Sequence, residues 1–139
     1  MNIESSDLGE TVPEKFTCDG EDISPSLNWS EAPEQTKSFA ILVHDPDAPA
    51  GDWIHWMIYN IPKEKTSISQ GEVPGEQVNN DFGKKEYRGP CPPSGTHRYF
   101  FIVYALDTET LEISDKEDFS KKMQEHSLAK AELISEYGR

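Results

Sequence analysis

The sequence predicts a β-rich fold covered by helix at its C-terminal end. Three observations carry that reading. Ten prolines and nine glycines punctuate the chain, all but Gly138 at or before position 95, which leaves little room there for helices longer than two turns. Between these breakers run three long apolar segments with the two-residue period of strands. From Ser114 onward there is no proline, and no glycine until Gly138.

Taken in order, Lys15–Cys18 and Leu27–Trp29 are short strand candidates. Ser38–Asp45, SFAILVHD, is the strongest strand. Phe39, Ile41 and Val43 point one way, Ala40, Leu42 and His44 the other. Both faces are mostly apolar, so the strand should be central and covered on both sides. Trp53–Ile61 places Trp53, His55, Met57 and Tyr59 on one face and Ile54, Trp56 and Ile58 on the other. Ile68–Gln70 is a further short candidate. His97–Leu106 sets His97, Tyr99, Phe101 and Val103 opposite Arg98, Phe100, Ile102 and Tyr104. Beyond it, Ser114 and Glu117 make a capping-box pattern. Phe119, Met123, His126, Lys130, Leu133, Ile134 and Tyr137 fall near helical spacing, so one or two helices are expected, with a break near Ser127.

The 139 residues suit one domain spanning 1–139. Lys and Arg number 13 against 26 Asp and Glu, a net charge of −13. That excludes nucleic-acid binding, which needs a basic stripe, and adhesion to anionic membranes by bulk charge. No apolar run reaches the ~18 residues of a transmembrane helix. The opening MNIESSDLGE lacks the basic start and apolar stretch of a secretory signal, so a cytoplasmic protein is expected. Aromatic residues at 10% argue for a packed core rather than disorder. The two cysteines, Cys18 and Cys91, form neither a disulfide framework nor a CxxC motif.

The polar residues that could carry chemistry sit where strands meet Pro/Gly loops. Asp45-Pro46-Asp47-Ala48-Pro49 is a stiff turn whose carboxylates either bond local backbone or face a pocket. His55 is either a satisfied core histidine or a ring oriented by an aspartate and charged to meet an anion. His97 and Tyr99, two apart, share a side. Arg98 lies opposite, its plainer role an internal salt bridge. The glycines of the GPCPPSG loop would let backbone N–H groups approach a ligand. Three catalytic arrangements are weaker. Asp45, Asp47, His55 and His97 could ligate a metal, but HxH and HExxH are missing. Ser94 with His97 lacks a GxSxG elbow. Cys91 beside His97 could be a nucleophile pair, although a buried structural thiol is the plainer reading. His44 and His126 have no convergent partners.

The stretch SFAILVHDPDAPAGDWIHWMIYNIP, then NDFG, then YRGPCPPSGTHRYFFIVYALD resembles the phosphatidylethanolamine-binding protein family, most closely its bacterial and archaeal Raf kinase inhibitor-like branch. FTCDGEDISPSLNWSEAP and AKAELISEYGR extend the resemblance over nearly the whole chain. It implies an antiparallel β-sandwich with a C-terminal helix and cis prolyl bonds near a pocket. It implies that the pocket takes phosphate, phosphorylethanolamine or a carboxylate through Asp45, Asp47, Pro49, Trp53, His55, Gly89, Pro90, His97 and Tyr99. No cofactor or metal is implied. Cys91 stands where animal members carry proline, and the chain is shorter than theirs, so inhibition of a kinase or protease carries over less readily than the pocket. A homodimer is left open, since relatives include dimers. The expected mechanism has Asp45 orienting and charging His55, His97 and Tyr99 donating from the facing strand, and loop N–H groups completing an anion cradle. A binding module is the leading reading. An inhibitor acting by surface contact and an enzyme built on the Asp/His/Tyr cluster are the alternatives.

Overall fold

In the computed structural model, which describes residues 1–139, the strand SFAILVHD (β3, Ser38–Asp45) lies at the centre of a five-stranded sheet. Its partners are β4 (Trp53–Pro62) and β7 (Thr96–Leu106). β6 (Glu76–Gln77) pairs outside β4, and β8 (Ser127–Gly138) pairs outside β7. All four pairings are antiparallel. A smaller antiparallel sheet of order β1-β2-β5 is made by β1 (Asn2–Glu4), β2 (Leu27–Ser30) and β5 (Ser67–Ile68).

The main core lies between the sheets. Phe39, Ile41 and Val43 of β3 meet Trp56 and Ile58 of β4, Phe101 and Val103 of β7, and Leu27 and Trp29 of β2 there. The other face of β3 is covered too. Ala40 packs with Met57, Tyr59 and Leu106 beneath α1 (Lys116–His126), which inserts Phe119 and Met123. Burying each of these two side chains stabilises the cover by roughly 1.5–3 kcal/mol. Apolar residues on both faces of β3 therefore reflect a strand buried from both sides.

The helix stops where the break was expected, but the next element is a strand rather than a second helix. Ser127–Gly138 pairs with β7 from Ser127↔Leu106 to Gly138↔Thr96. Ala129, Ala131, Leu133, Ser135 and Tyr137 alternate toward the core or its rim. The segment is rich in Ala, Leu, Glu and Lys, which favour helix, and the long ladder to β7 overrides that preference. The cap is also displaced by one residue. Asp115 accepts the Asp118 N–H at 2.8 Å, and the Asp118 carboxylate reaches back to the Ser114 N–H at 3.0 Å. Lys15–Cys18 is not a strand. Glu14–Phe16 forms a 3-10 turn held by the Pro13 and Glu14 carbonyls. Of Ile68–Gln70 only Ile68 belongs to a strand, in β5.

Every peptide bond is trans, which corrects the cis prolyl bonds implied by the resemblance. The Asp45–Gly51 turn closes with trans bonds because other groups bend it. The Asp47 N–H donates to Asp45 Oδ1 at 2.8 Å, and Gly51, at φ 104°, donates to the Ala48 carbonyl at 3.0 Å. The trans isomer is the one X–Pro bonds favour, by about 0.5–1 kcal/mol.

Candidate functional site

Four polar side chains that folding has buried converge at one end of the main core. Asp45 ends β3, His55 lies near the start of β4, and His97 and Tyr99 open β7. They are only 3%, 3%, 7% and 1% exposed, respectively.

His55 reaches this cluster through a β-bulge. Val43 pairs with Trp56 but His44 pairs with Ile54, so β4 carries one extra residue at His55. A bulge re-aims side chains. His55 and Trp56 both turn inward, and Met57 and Tyr59 go to the cluster under α1. The strict alternation that would group His55 with Met57 is thus corrected. His55 instead meets Tyr99 edge-on, ring centroids 5.4 Å apart.

The hydrogen bonds also differ from the expected scheme. The Asp45 partner is His97, whose Nδ1 donates to Asp45 Oδ2 at 2.7 Å. His55 Nδ1 donates to the Arg88 carbonyl at 2.6 Å. A carbonyl can only accept, so the neutral ring carries its proton on Nδ1 and presents Nε2 as a lone pair. Burial holds the His55 pKa below 6.5, against smaller raising effects from the Arg88 carbonyl and the Asp45 charge. Asp45 therefore does not charge His55. Neither ring uses Nε2 in a hydrogen bond within the protein. Burial first, and then the nearby Asp45 charge, raise the Tyr99 phenol above its ordinary pKa, so it remains a donor.

Asp47 is committed elsewhere. Its carboxylate takes a two-pronged bond from Arg98, Nε and Nη2 each at 2.9 Å, and also accepts the Arg98 backbone N–H at 2.9 Å. These bonds hold the Asp47 carboxyl well below the usual carboxylate range. Asp47 thus locks the turn to β7. Pro49 is exposed in that turn, and Trp53 is half-buried at its far end.

Gly89 and Pro90 are buried, but the Gly89 N–H is spent on Asp22 Oδ1 at 2.8 Å. A Cβ on Gly89 would overlap the Phe16 carbonyl and lie 2.6 Å from Asp22 Oδ1. Glycine is required here for close packing against the Phe16–Asp22 segment, so the expected loop cradle loses this donor. That packing is sealed by a disulfide between Cys18 and Cys91, Cα atoms 5.4 Å apart and 73 residues apart in sequence. The thiol expected at Cys91 is neither free nor buried, since both cysteines are exposed residues. Arg139 covers the bond, with Nη2 3.4 Å from Cys18 Sγ and Nε donating to the Pro92 carbonyl at 2.7 Å.

Phe82 and Asn80 are site residues that sequence reasoning missed, although NDFG carried part of the resemblance. Phe82 stands edge-on to His55 and Trp53, at 5.2 and 5.7 Å between centroids. Asn80 is buried and donates to the His55 and Glu86 carbonyls, and it accepts the Phe82 and Lys84 N–H groups. It fixes the loop that sets Phe82 over the histidine. Three grooves, of about 390 to 860 Å3, lie against α1 and around Asn60, and none is lined by any of the nine expected pocket residues.

Comparison with known proteins agrees with this architecture. A family model described as phosphatidylethanolamine-binding protein matches residues 2–138. The UPF0098 protein of Methanothermobacter thermautotrophicus is 47% identical, with 100% of this chain and 99% of the relative covered. That of Aquifex aeolicus is 44% identical, with 94% and 83% covered. Two crystal structures superpose closely. CT736 of Chlamydia trachomatis, a phosphatidylethanolamine-binding protein homologue, has a TM-score of 0.92 at 35% identity, covering 99% of this chain and 97% of that one. YbcL of E. coli has a TM-score of 0.93 at 33% identity, covering 99% and 98%. Sequence and fold together place this chain in the phosphatidylethanolamine-binding protein family.

Proposed function

We propose that the Asp45–His55–His97–Tyr99 cluster binds a small anion of the phosphate, phosphorylethanolamine or carboxylate class, and that the protein acts by binding rather than by turnover. The observation that carries this reading is the orientation of two buried imidazoles. Each spends Nδ1 on a fixed acceptor, Asp45 for His97 and the Arg88 carbonyl for His55, and each keeps Nε2 free. Protonated, both rings would offer Nε2–H to one anion, with Tyr99 as a further donor. Asp45 accepts from His97 Nδ1 at 2.7 Å. Its carboxylate oxygens are turned to the His97 ring and the Asp47 N–H, so it does not face the ligand bare.

The proton inventory sets the pH dependence. Burial disfavours the charged form of His55, so an anion that uses the charged ring must bring a proton with it or draw one from solution. Affinity falls as pH rises, by up to about tenfold per unit for each proton taken up. The test is calorimetric titration with phosphorylethanolamine at pH 6 and pH 8, on wild type and on His55→Asn. The asparagine amide keeps a donor for the Arg88 carbonyl but cannot be charged. Tighter binding by wild type at pH 6, with the pH dependence reduced in the variant, supports the reading. Equal affinity at the two pH values, or no binding at either, overturns it.

A further inference from the structure

We propose that the Cys18–Cys91 disulfide is a redox site that controls the anion cluster: a dithiol reductant opens it, and anion binding weakens when it opens. Such control rests on the reading of the cluster as an anion site. Residues 87–91 hold parts of that cluster in place. The Arg88 carbonyl takes the His55 Nδ1–H at 2.6 Å, and the Arg88 N–H returns a bond to the His55 carbonyl at 3.3 Å. Burial and the Asp45 charge raise the Tyr99 phenol, while the Cys91 backbone and the Arg139 charge pull it back, so both reach that hydroxyl. On their other side residues 87–91 are tied to residues 16–22. The Tyr87 hydroxyl donates to the Phe16 carbonyl at 2.8 Å, the Gly89 N–H to Asp22 Oδ1 at 2.8 Å, and the Cys18 N–H to the Pro90 carbonyl at 3.2 Å. The disulfide is the covalent link among these ties.

The bond is placed to be opened. Both cysteines are exposed, so a thiolate can reach the sulfurs. The Arg139 guanidinium lies over them, Nη2 3.4 Å from Cys18 Sγ and 3.8 Å from Cys91 Sγ. Asp19 Oδ1 at 3.0 Å and the Pro92 carbonyl at 2.7 Å hold it there, and the Arg139 N–H donates to the Gly95 carbonyl at 3.1 Å. Asp19 also accepts from the Tyr137 hydroxyl at 2.6 Å, so its carboxylate is turned to two donors. A neighbouring guanidinium stabilises a thiolate, and the sulfur of lower pKa leaves faster. Cys18, the nearer sulfur, is therefore the leaving group. One thiolate of the reductant attacks Cys91 Sγ, the bond between the cysteines breaks, and its electron pair leaves on Cys18 Sγ beside Arg139. The second thiolate of the reductant then attacks the mixed disulfide and releases Cys91. Two electrons pass to the protein, the two protons lost by the dithiol go to the two cysteines, and the reductant departs as its own disulfide. With the link gone, only hydrogen bonds hold residues 87–91 against 16–22. A loop that opens carries away the acceptor that orients His55, and apparent affinity falls with the fraction still closed.

Titration with phosphorylethanolamine of the oxidised protein and of protein reduced with dithiothreitol tests this, at one pH and temperature, with circular dichroism monitoring the fold. The reduced form should bind about threefold or more weakly, which corresponds to a loop open about two thirds of the time. The Cys18→Ser, Cys91→Ser double variant should bind like the reduced form and ignore dithiothreitol. In Cys91→Ser the remaining Cys18 thiol should alkylate faster near neutral pH than an ordinary thiol of pKa ~8.5. Arg139→Gln should remove that advantage and slow reduction of the disulfide severalfold. Imidazole NMR signals should move on reduction at His55 and stay at His126, which bonds Asp107 beyond the far end of β7. Equal affinity in the two redox states overturns the switch and leaves the anion site standing. No binding by the oxidised form overturns the anion site and the switch with it. A reduced chain that unfolds makes the bond a staple and overturns the switch. So does a disulfide that is reduced at the same rate in Arg139→Gln.

Discussion

At the scale of single residues, two histidines that both spend Nδ1 on an oxygen behave differently. His97 leans on a carboxylate and His55 on a carbonyl, and burial pushes His55 toward neutrality. That depression has a sign in stability. The unfolded chain protonates His55 near pH 6.5, whereas the folded chain resists until lower pH. Stability tied to this residue is therefore present above about pH 6.5 and lost as pH falls below it, by at most ~1.4 kcal/mol per unit. Thermal melts between pH 5 and 8 should show wild type losing more on acidification through that window than His55→Asn, and parallel curves would refute the assignment. All four clustered residues were legible as candidates, because each is a polar group on an otherwise apolar strand end. Their pairing was not legible. The extra residue at His55 changes which side chains share a face, and period-two reasoning has no means of seeing an inserted residue.

At the scale of elements, the loop Gly89–Gly95 depends on close packing and strand β8 on distant pairing. Gly89 sits against the Phe16 carbonyl and gives its N–H to Asp22. Gly89→Ala should destabilise by about 1–3 kcal/mol through overpacking, measured by urea unfolding. The exposed cap substitution Asp115→Ala should cost only ~1 kcal/mol and leave the cluster intact. If the two variants prove equal, the loop is more compliant than its contacts imply. The central strands were readable because hydrophobic alternation and Pro/Gly punctuation agree with their tertiary role. β8 was not, because its residues favour helix locally while its pairing partner, β7, lies elsewhere in the chain. β1 and β6 are too short to show a period, and β6 contains only Glu76 and Gln77.

At the scale of the whole molecule, the Cys18–Cys91 bond closes a long stretch of chain. A sequence separation of 73 residues corresponds to ~4 kcal/mol of unfolded-state restriction. Reduction should lower the melting temperature by about 10 °C or more. A shift of a degree or two would mean that the Arg139 and Pro90 contacts hold the loop without the bond. Most reducing cytoplasms would open such an exposed disulfide, so cytoplasmic placement and an intact bond coexist only in cells that keep intracellular disulfides, as hyperthermophiles do. No helix is long and apolar enough to cross a membrane. The backbone bonds from Glu136 to Glu10 and Val12 bring opposite ends of the sequence side by side. A ribosome delivers residue 10 long before residue 136. During that interval β7 has an unpaired edge and the inner face of the large sheet has no rim, so the nascent chain is adhesive until its last strand emerges. Closing the sheet therefore requires a late strand to find an early segment, a long-range search of the kind that slows folding.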